Sequence, residues 1–93
     1  MFNRILTQMR VKVKRNEYVM TFHARKEMID DGFSIFDVES GILTGEILER
    51  QKDRSSAEWK YRINGKTIGD NQIELICKIS PTGKLVVITV YEP

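Results

Sequence analysis

The chain reads as an α+β domain, with helices first and strands after. Apolar residues recur at helical spacing to about residue 44, and beyond it the pattern changes to short strand-forming runs, one of them alternating in twos. Short connections rich in Gly, Pro, Asn and Asp separate the later runs, which marks neighbouring strands of an antiparallel sheet. The expected architecture is about three N-terminal helices packed on an antiparallel sheet of about four strands. The 93 residues make a single domain, 1–93. A chain of this length buries roughly 60–70% of its unfolded surface, enough for one modest core.

Phe2, Ile5, Leu6, Met9 and Val13 fall on one helical stripe and predict a first helix over about residues 2–13. Val11 to Lys14 also alternates like a strand. Thr21 is a candidate N-cap for a second helix that runs to about Asp31 and stops at Gly32. On that helix Phe22, Ala24, Met28 and Ile29 form a broad apolar arc that encloses Arg25. His23, Lys26, Glu27 and Asp30 form the polar stripe, with Lys26 and Asp30 an i, i+4 pair. Ser34 and Asp37 match a capping box for a third helix, with Phe33 and Val38 in the staple positions. Ile35, Val38 and Ile42 give its buried face, and Gly45 is placed to end it in a left-handed conformation.

The first strand is expected at Glu46–Gln51, followed by a polar loop at Asp53–Glu58. Trp59, Tyr61 and Ile63 alternate with Lys60 and Arg62 in a second strand. Asn64-Gly65 and Gly69-Asp70-Asn71 read as turns, and Ile73–Ile79 as a third strand with Glu74 and Lys78 on one face. Pro81-Thr82-Gly83 turns the chain into Leu85–Tyr91, its most strongly strand-forming run.

Apolar residues make up 41% and charged residues 30%, an ordinary globular balance. Cys77 has no partner for a disulfide and, within an apolar run, reads as a core residue. One His, one Cys and scattered carboxylates give no recognisable metal ligand set, and no glycine-rich phosphate loop or serine-nucleophile motif is present. No cofactor or metal is therefore expected. No apolar stretch approaches the roughly 20 residues of a membrane span, and the basic N-terminus lacks the apolar run of a signal peptide. The expectation is a cytoplasmic protein with no membrane partner. The net charge of +2 is uneven: residues 1–16 carry +5 and the rest −3. Such asymmetry suits nucleic acid or an acidic protein partner, and equally a solvated helix face.

His23, the sole histidine, falls in the first turn of the second helix, where the helix dipole favours the neutral base and a nearby phosphate would favour the charged form. Both states suit general acid–base work, although a surface histidine with no chemistry fits the same position. Arg25 would either pair internally with Glu39, Glu46 or Glu49 or face a pocket. The two point about 200° apart on a helix, so they cannot grip the same phosphate, and the arc turns Arg25 inward as a brace. Arg62 and Lys60 share a strand face opposite Trp59 and Tyr61. Lys78 lies opposite Leu75 and Cys77, and Arg50 ends the first strand. If helices cover one face of the sheet, these cations line the other and offer a surface for a nucleic-acid backbone. Exposed strand faces are also commonly basic simply to resist edge pairing.

Metal-free RNA cleavage needs a base for the 2′-hydroxyl, an acid for the leaving oxygen and cations for the charged phosphorane. On this reading His23, Arg62 and Tyr91 are catalytic, and Arg25, Arg50, Lys60 and Lys78 bind substrate. The alternative is a non-catalytic binding module for nucleic acid or a small partner protein.

Thr21-Phe22-His23-Ala24-Arg25-Lys26-Glu27-Met28, then Gly32-Phe33-Ser34 with Val38, Gly45-Glu46-Ile47, Tyr61-Arg62 before Gly65, Lys78-Ile79 and Ile88-Thr89-Val90-Tyr91 together resemble a bacterial family, domain of unknown function number 4258. The family often has an arginine before the glycine that follows the methionine, where this chain has Asp31. Its members resemble toxin ribonucleases of the RelE and MqsR type. That resemblance implies a RelE/barnase-like domain with a curved antiparallel sheet, metal-independent endoribonuclease activity on RNA, and a small antitoxin-like protein covering the active surface. It also implies catalytic use of basic sheet residues and a C-terminal tyrosine, for which Arg62, Lys78 and Tyr91 are the matching positions.

Overall fold

Caps and glycines decide where the second and third helices start and stop, whereas the first has no side-chain cap. The computed structural model describes Met1 to Pro93. Its elements are α1 (Asn3–Lys14), β1 (Tyr18–Met20), α2 (Phe22–Asp30), α3 (Ile35–Thr44), β2 (Glu46–Lys52), β3 (Trp59–Lys66), β4 (Gln72–Ile79) and β5 (Leu85–Tyr91). The α+β class and the three helices are as expected. The sheet has five strands rather than four, in the order β1-β5-β4-β3-β2, and it is mixed, because β1 runs parallel to β5. At three residues β1 is too short to show a period, so the sequence pattern does not reveal it. No helix is long and apolar enough to cross a membrane.

Helix α1 buries Leu6, Met9 and Val13 along its apolar stripe. Arg10 leaves that stripe to donate to the Ile42 carbonyl at 3.2 Å and the Gly45 carbonyl at 2.7 Å. These carbonyls end α3 without intrahelical partners, so the guanidinium caps the negative end of that helix.

Helix α2 begins where the Thr21 hydroxyl accepts from the Ala24 N–H at 3.0 Å. It ends in a Schellman turn, with Gly32 at φ +76° and N–H bonds from Gly32 to Ile29 O and from Phe33 to Met28 O. Its expected apolar arc is narrower than the sequence suggests. Ala24 is buried and Met28 half-buried, while Phe22 and Ile29 are 84% and 66% exposed. The helix meets the sheet along one line, over β5, so the flanks of the arc have nothing to cover.

The polar side of α2 has a task the arc does not reveal. Because β1 stops at Met20, β5 would present an open edge beyond Val87. Thr21 N–H bonds to Val87 O, and the Thr21 hydroxyl donates to Ile88 O at 3.1 Å. Glu27 then accepts from Val90 N–H at 3.1 Å and Asp31 from Glu92 N–H at 3.3 Å. Side chains of α2 thus stand in for a missing strand and occupy an edge that would otherwise pair with other chains.

Helix α3 has the expected capping box, with Ser34 and Asp37 bonding reciprocally. Gly45 is not left-handed: it is extended at φ −85° and ψ 177°. It is glycine for lack of space, since a Cβ there would strike the Gly41 carbonyl and the Asn64 carbonyl. Asn64-Gly65, expected as a turn, lies inside β3. A Cβ on Gly65 would overlap the backbone of Gly41, so α3 rests on β3 main chain to main chain. Met9, Val38, Ile42, Ile63, Leu75, Cys77 and Val87 belong to the single buried cluster around this contact. Burial pushes the Cys77 thiol up to about 12, which fits the inert core residue expected.

Gly65→Ala has no flexible neighbour to displace, so it is expected to cost about 3 kcal/mol, the upper end of the overpacking range, in urea unfolding. A second expectation concerns Tyr18, whose hydroxyl donates to Glu39 and ties β1 to α3. Burial and then Glu39 raise its phenol from 10.0 to about 12. With the folded value above the ordinary one, its contribution is intact below pH 10 and lost as pH climbs through about 12. Stability measured across that window should fall more steeply in the native chain than in Tyr18→Phe.

Candidate active site

All three helices lie against one face of the sheet, and two β-bulges decide which side chains occupy the other. In β2 the register slips between Ile47 and Glu49. This turns Glu49 and Gln51 to the open face, opposite Arg62 and Lys60, and sends Arg50 and Lys52 to the helix side with Trp59. In β5 the slip falls between Val87 and Thr89, the partners of Cys77 and Ile76. Val87 and Val90 are both buried against the helices as a result, and Thr89 and Tyr91 emerge on the open face.

Four strands then contribute one polar row: Glu49 of β2, Arg62 of β3, Glu74 of β4 and Tyr91 of β5. Arg62 donates through Nε to Glu49 at 3.1 Å and through Nη1 to Glu74 at 2.8 Å. Glu74 stands in register with Tyr91 and is only 7% exposed. Hydrogen bonding to the Glu74 carboxylate, then partial burial, push the Tyr91 phenol above its usual range. The bond to Glu49 raises Arg62 further, while Gln51 and then Arg62 hold the Glu49 carboxyl below its usual range. The row therefore presents a protonated phenol and a fixed cation flanking a carboxylate. Those are a proton donor, an anion stabiliser and a proton acceptor.

Lys78 lies on the same face and is held by Glu58 at 2.7 Å and Asp53 at 3.6 Å. Its ammonium is raised chiefly by the hydrogen bond to Glu58. Two bonds from Ser55, and then the charges of Lys78 and of Lys60 on the same face, hold the Asp53 carboxyl below its usual range. With Glu49, Asp53, Glu58 and Glu74 beside Lys60, Arg62 and Lys78, the open face is balanced in charge rather than basic.

The other expected site residues lie elsewhere. His23 is 68% exposed and keeps one polar partner, Glu27, at 3.2 Å. It sits at the β5 edge, since the same Glu27 oxygen accepts from Val90 N–H. Arg25 is exposed and pairs with none of Glu39, Glu46 or Glu49. It braces nothing, because the buried line of α2 is limited to Ala24 and Met28. Arg50 stacks on the Trp59 ring at 4.2 Å on the helix-side face, turned there by the β2 bulge. The fold thus brings Arg62 and Tyr91 together, with Lys60 and Lys78 on the same face, and leaves His23, Arg25 and Arg50 outside the row. Sequence reasoning did not select Glu74 as a site residue. The available signal was a lone acid within the apolar run Ile73–Ile79.

The profile of a family described as Domain of unknown function (DUF4258) matches residues 20–92. The match begins at the last residue of β1 and leaves α1 outside. No curated protein and no solved structure matches the chain.

A nearly buried carboxylate without its cation is costly, whereas replacing both partners by apolar side chains is often neutral. Arg62→Met should therefore lower the thermal midpoint by circular dichroism, and adding Glu74→Leu should recover most of the loss.

Proposed function

This chain belongs to the DUF4258 family, and we propose that it is a metal-independent endoribonuclease of the toxin type, acting from the open face of a RelE/barnase-like sheet. The row Arg62–Glu74–Tyr91 carries the reading. Glu74 takes the 2′-hydroxyl proton, and the 2′-oxygen attacks the adjacent phosphorus. Arg62 stabilises the extra negative charge on the phosphorane. Tyr91, kept protonated by Glu74 and burial, gives its proton to the departing 5′-oxygen. The products are a 2′,3′-cyclic phosphate and a 5′-hydroxyl, and the site resets as Glu74 gives up the proton it took and the phenolate regains one, directly or through solvent. Substrate phosphate replaces Glu49 as the second partner of Arg62. His23, exposed at the same sheet's β5 edge beside Glu27, contacts RNA flanking the cleaved bond. A cytoplasmic location and a small antitoxin-like protein that covers the open face complete the proposal.

The charge balance of the open face favours a second reading, a non-catalytic module for a small partner protein. A polyanion gains little from a surface on which Arg62 and Lys78 are already paired with carboxylates.

Incubation of the purified chain with RNA in EDTA separates the two. The first reading expects cyclic phosphate ends. It expects rates reduced about 100-fold or more by Glu74→Gln and by Tyr91→Phe, with circular dichroism unchanged. RNA left intact across free and ribosome-bound substrates sinks the catalytic reading and leaves the binding module.

A further inference from the structure

The sheet treats its edges unequally. The β5 edge beyond Val87 is occupied by Thr21, Glu27 and Asp31, and the outer strand β2 carries Glu46, Glu49, Arg50 and Lys52. Both are common ways to stop further pairing. Strand β1 has neither protection: its residues are Tyr18, Val19 and Met20, with no charge, proline or bulge.

The register fixes which backbone groups are free there. Leu85 N–H bonds to Glu17 O and Thr21 N–H to Val87 O, so Glu17, Val19 and Thr21 face β5. In a parallel ladder the residues between them face away. The N–H and C=O groups of Tyr18 and Met20 therefore point outward, and none appears among the backbone bonds outside the helices and strands. A groove of about 610 Å³ runs along this edge, lined by Tyr18, Met20, Met28 and Ile35 with Arg25 as its one charge. Phe22 and Ile29, three residues before and four after Arg25, share its face of α2 and are exposed.

We propose that the β1 edge takes up an extended peptide segment of a partner protein as a sixth strand, and that Arg25 selects a segment carrying a carboxylate among apolar residues. Main-chain pairing supplies the direction, and the apolar lining receives alternate side chains. Arg25 has no carboxylate partner within the chain, and Glu39, the acid bonded to Tyr18 of β1, is already engaged by its hydroxyl. A second copy pairing through the same edge would bring its own Arg25 to the groove, and its nearest acid, Glu17, is half-buried with one carboxylate oxygen enclosed, which argues for a different protein. The site is separate from the open face and does not depend on the catalytic reading.

A displayed library of nine-residue peptides tests this, with apolar residues at alternate positions and a central Glu, Lys or Ser. Glu-centred peptides should be enriched, bind saturably by fluorescence anisotropy, and slow hydrogen exchange at the Tyr18 and Met20 amides. Arg25→Glu should weaken the best peptide about tenfold or more, and exchanging the peptide's Glu for Lys should restore binding. N-methylation of the peptide amides that face β1 should cost about tenfold or more, without altering the protein at all. Enrichment indifferent to the central charge, unprotected Tyr18 and Met20 amides, or an empty selection would each overturn the proposal. So would concentration-dependent dimerisation in sedimentation that protects the same amides, because it would make a second copy the occupant.

Discussion

The close approach of α3 to β3 organises the molecule. Gly41 and Gly65 meet backbone to backbone, and no side chain stands between helix and strand at that point. Polar bonds continue the seam on either side. Ser40 donates to the Lys66 carbonyl at 2.7 Å, Lys66 N–H to Thr44 at 2.9 Å, and Ile68 N–H to Asp37 at 3.2 Å. With α3 fixed in this way, β3 has only one face left to present, and Arg62 points from it away from the helices. Helix α1 is placed in turn by Arg10, which holds the last carbonyls of α3. The glycines thus fix the layer spacing, and the other helices are arranged around the one they fix.

The open face follows from that arrangement plus two single-residue irregularities. Without the slip in β2, Leu48 rather than Glu49 would stand opposite Arg62, and Glu49 would turn to the helix side with Tyr61. Without the slip in β5, Val90 would be exposed and Tyr91 buried. A carboxylate as enclosed as Glu74 is not the least costly occupant of a central strand, where an aliphatic side chain would fill the space without needing a partner. Its retention beside both a guanidinium and a phenol is what sets this row apart from an ordinary exposed sheet surface. The neighbouring Lys78, folded under Asp53 and Glu58 from the β2–β3 loop, is by contrast fully accounted for as a clasp on that loop.

What the sequence made legible was local. The Ser34–Asp37 box, the Thr21 cap and the stop at Gly32 involve residues close together in the chain, and each formed as expected. The α1 stripe was readable from periodicity, and the four long strands from alternation in β3 and from strand-forming runs between turn signals elsewhere. The failures share a non-local cause. Asn64-Gly65 looks like a turn, yet Gly65 answers to a helix more than 20 residues earlier in the chain. Arg25 looks inward on a wheel, but where α2 touches the sheet decides which part of the wheel is buried. Arg50 and Tyr91 owe their faces to bulges that leave no mark in an alternating pattern. The pairing of Arg62 with Tyr91 was anticipated as a shared role, and the acid that joins them needed the register of β4 against both neighbours.

Trp59, the sole tryptophan, sits between Arg50 at 4.2 Å and Lys52 at 4.8 Å, on the second strand from the β2 edge. Its indole is a native optical probe confined to one corner of the molecule, and the nearby cations make its emission sensitive to whether the β2–β3 hairpin is closed. Strand β1 lies at the far side of the sheet and is optically silent to it. A fluorescence melting curve therefore watches the hairpin alone, and only its coincidence with a backbone signal would license treating the whole chain as one cooperative unit.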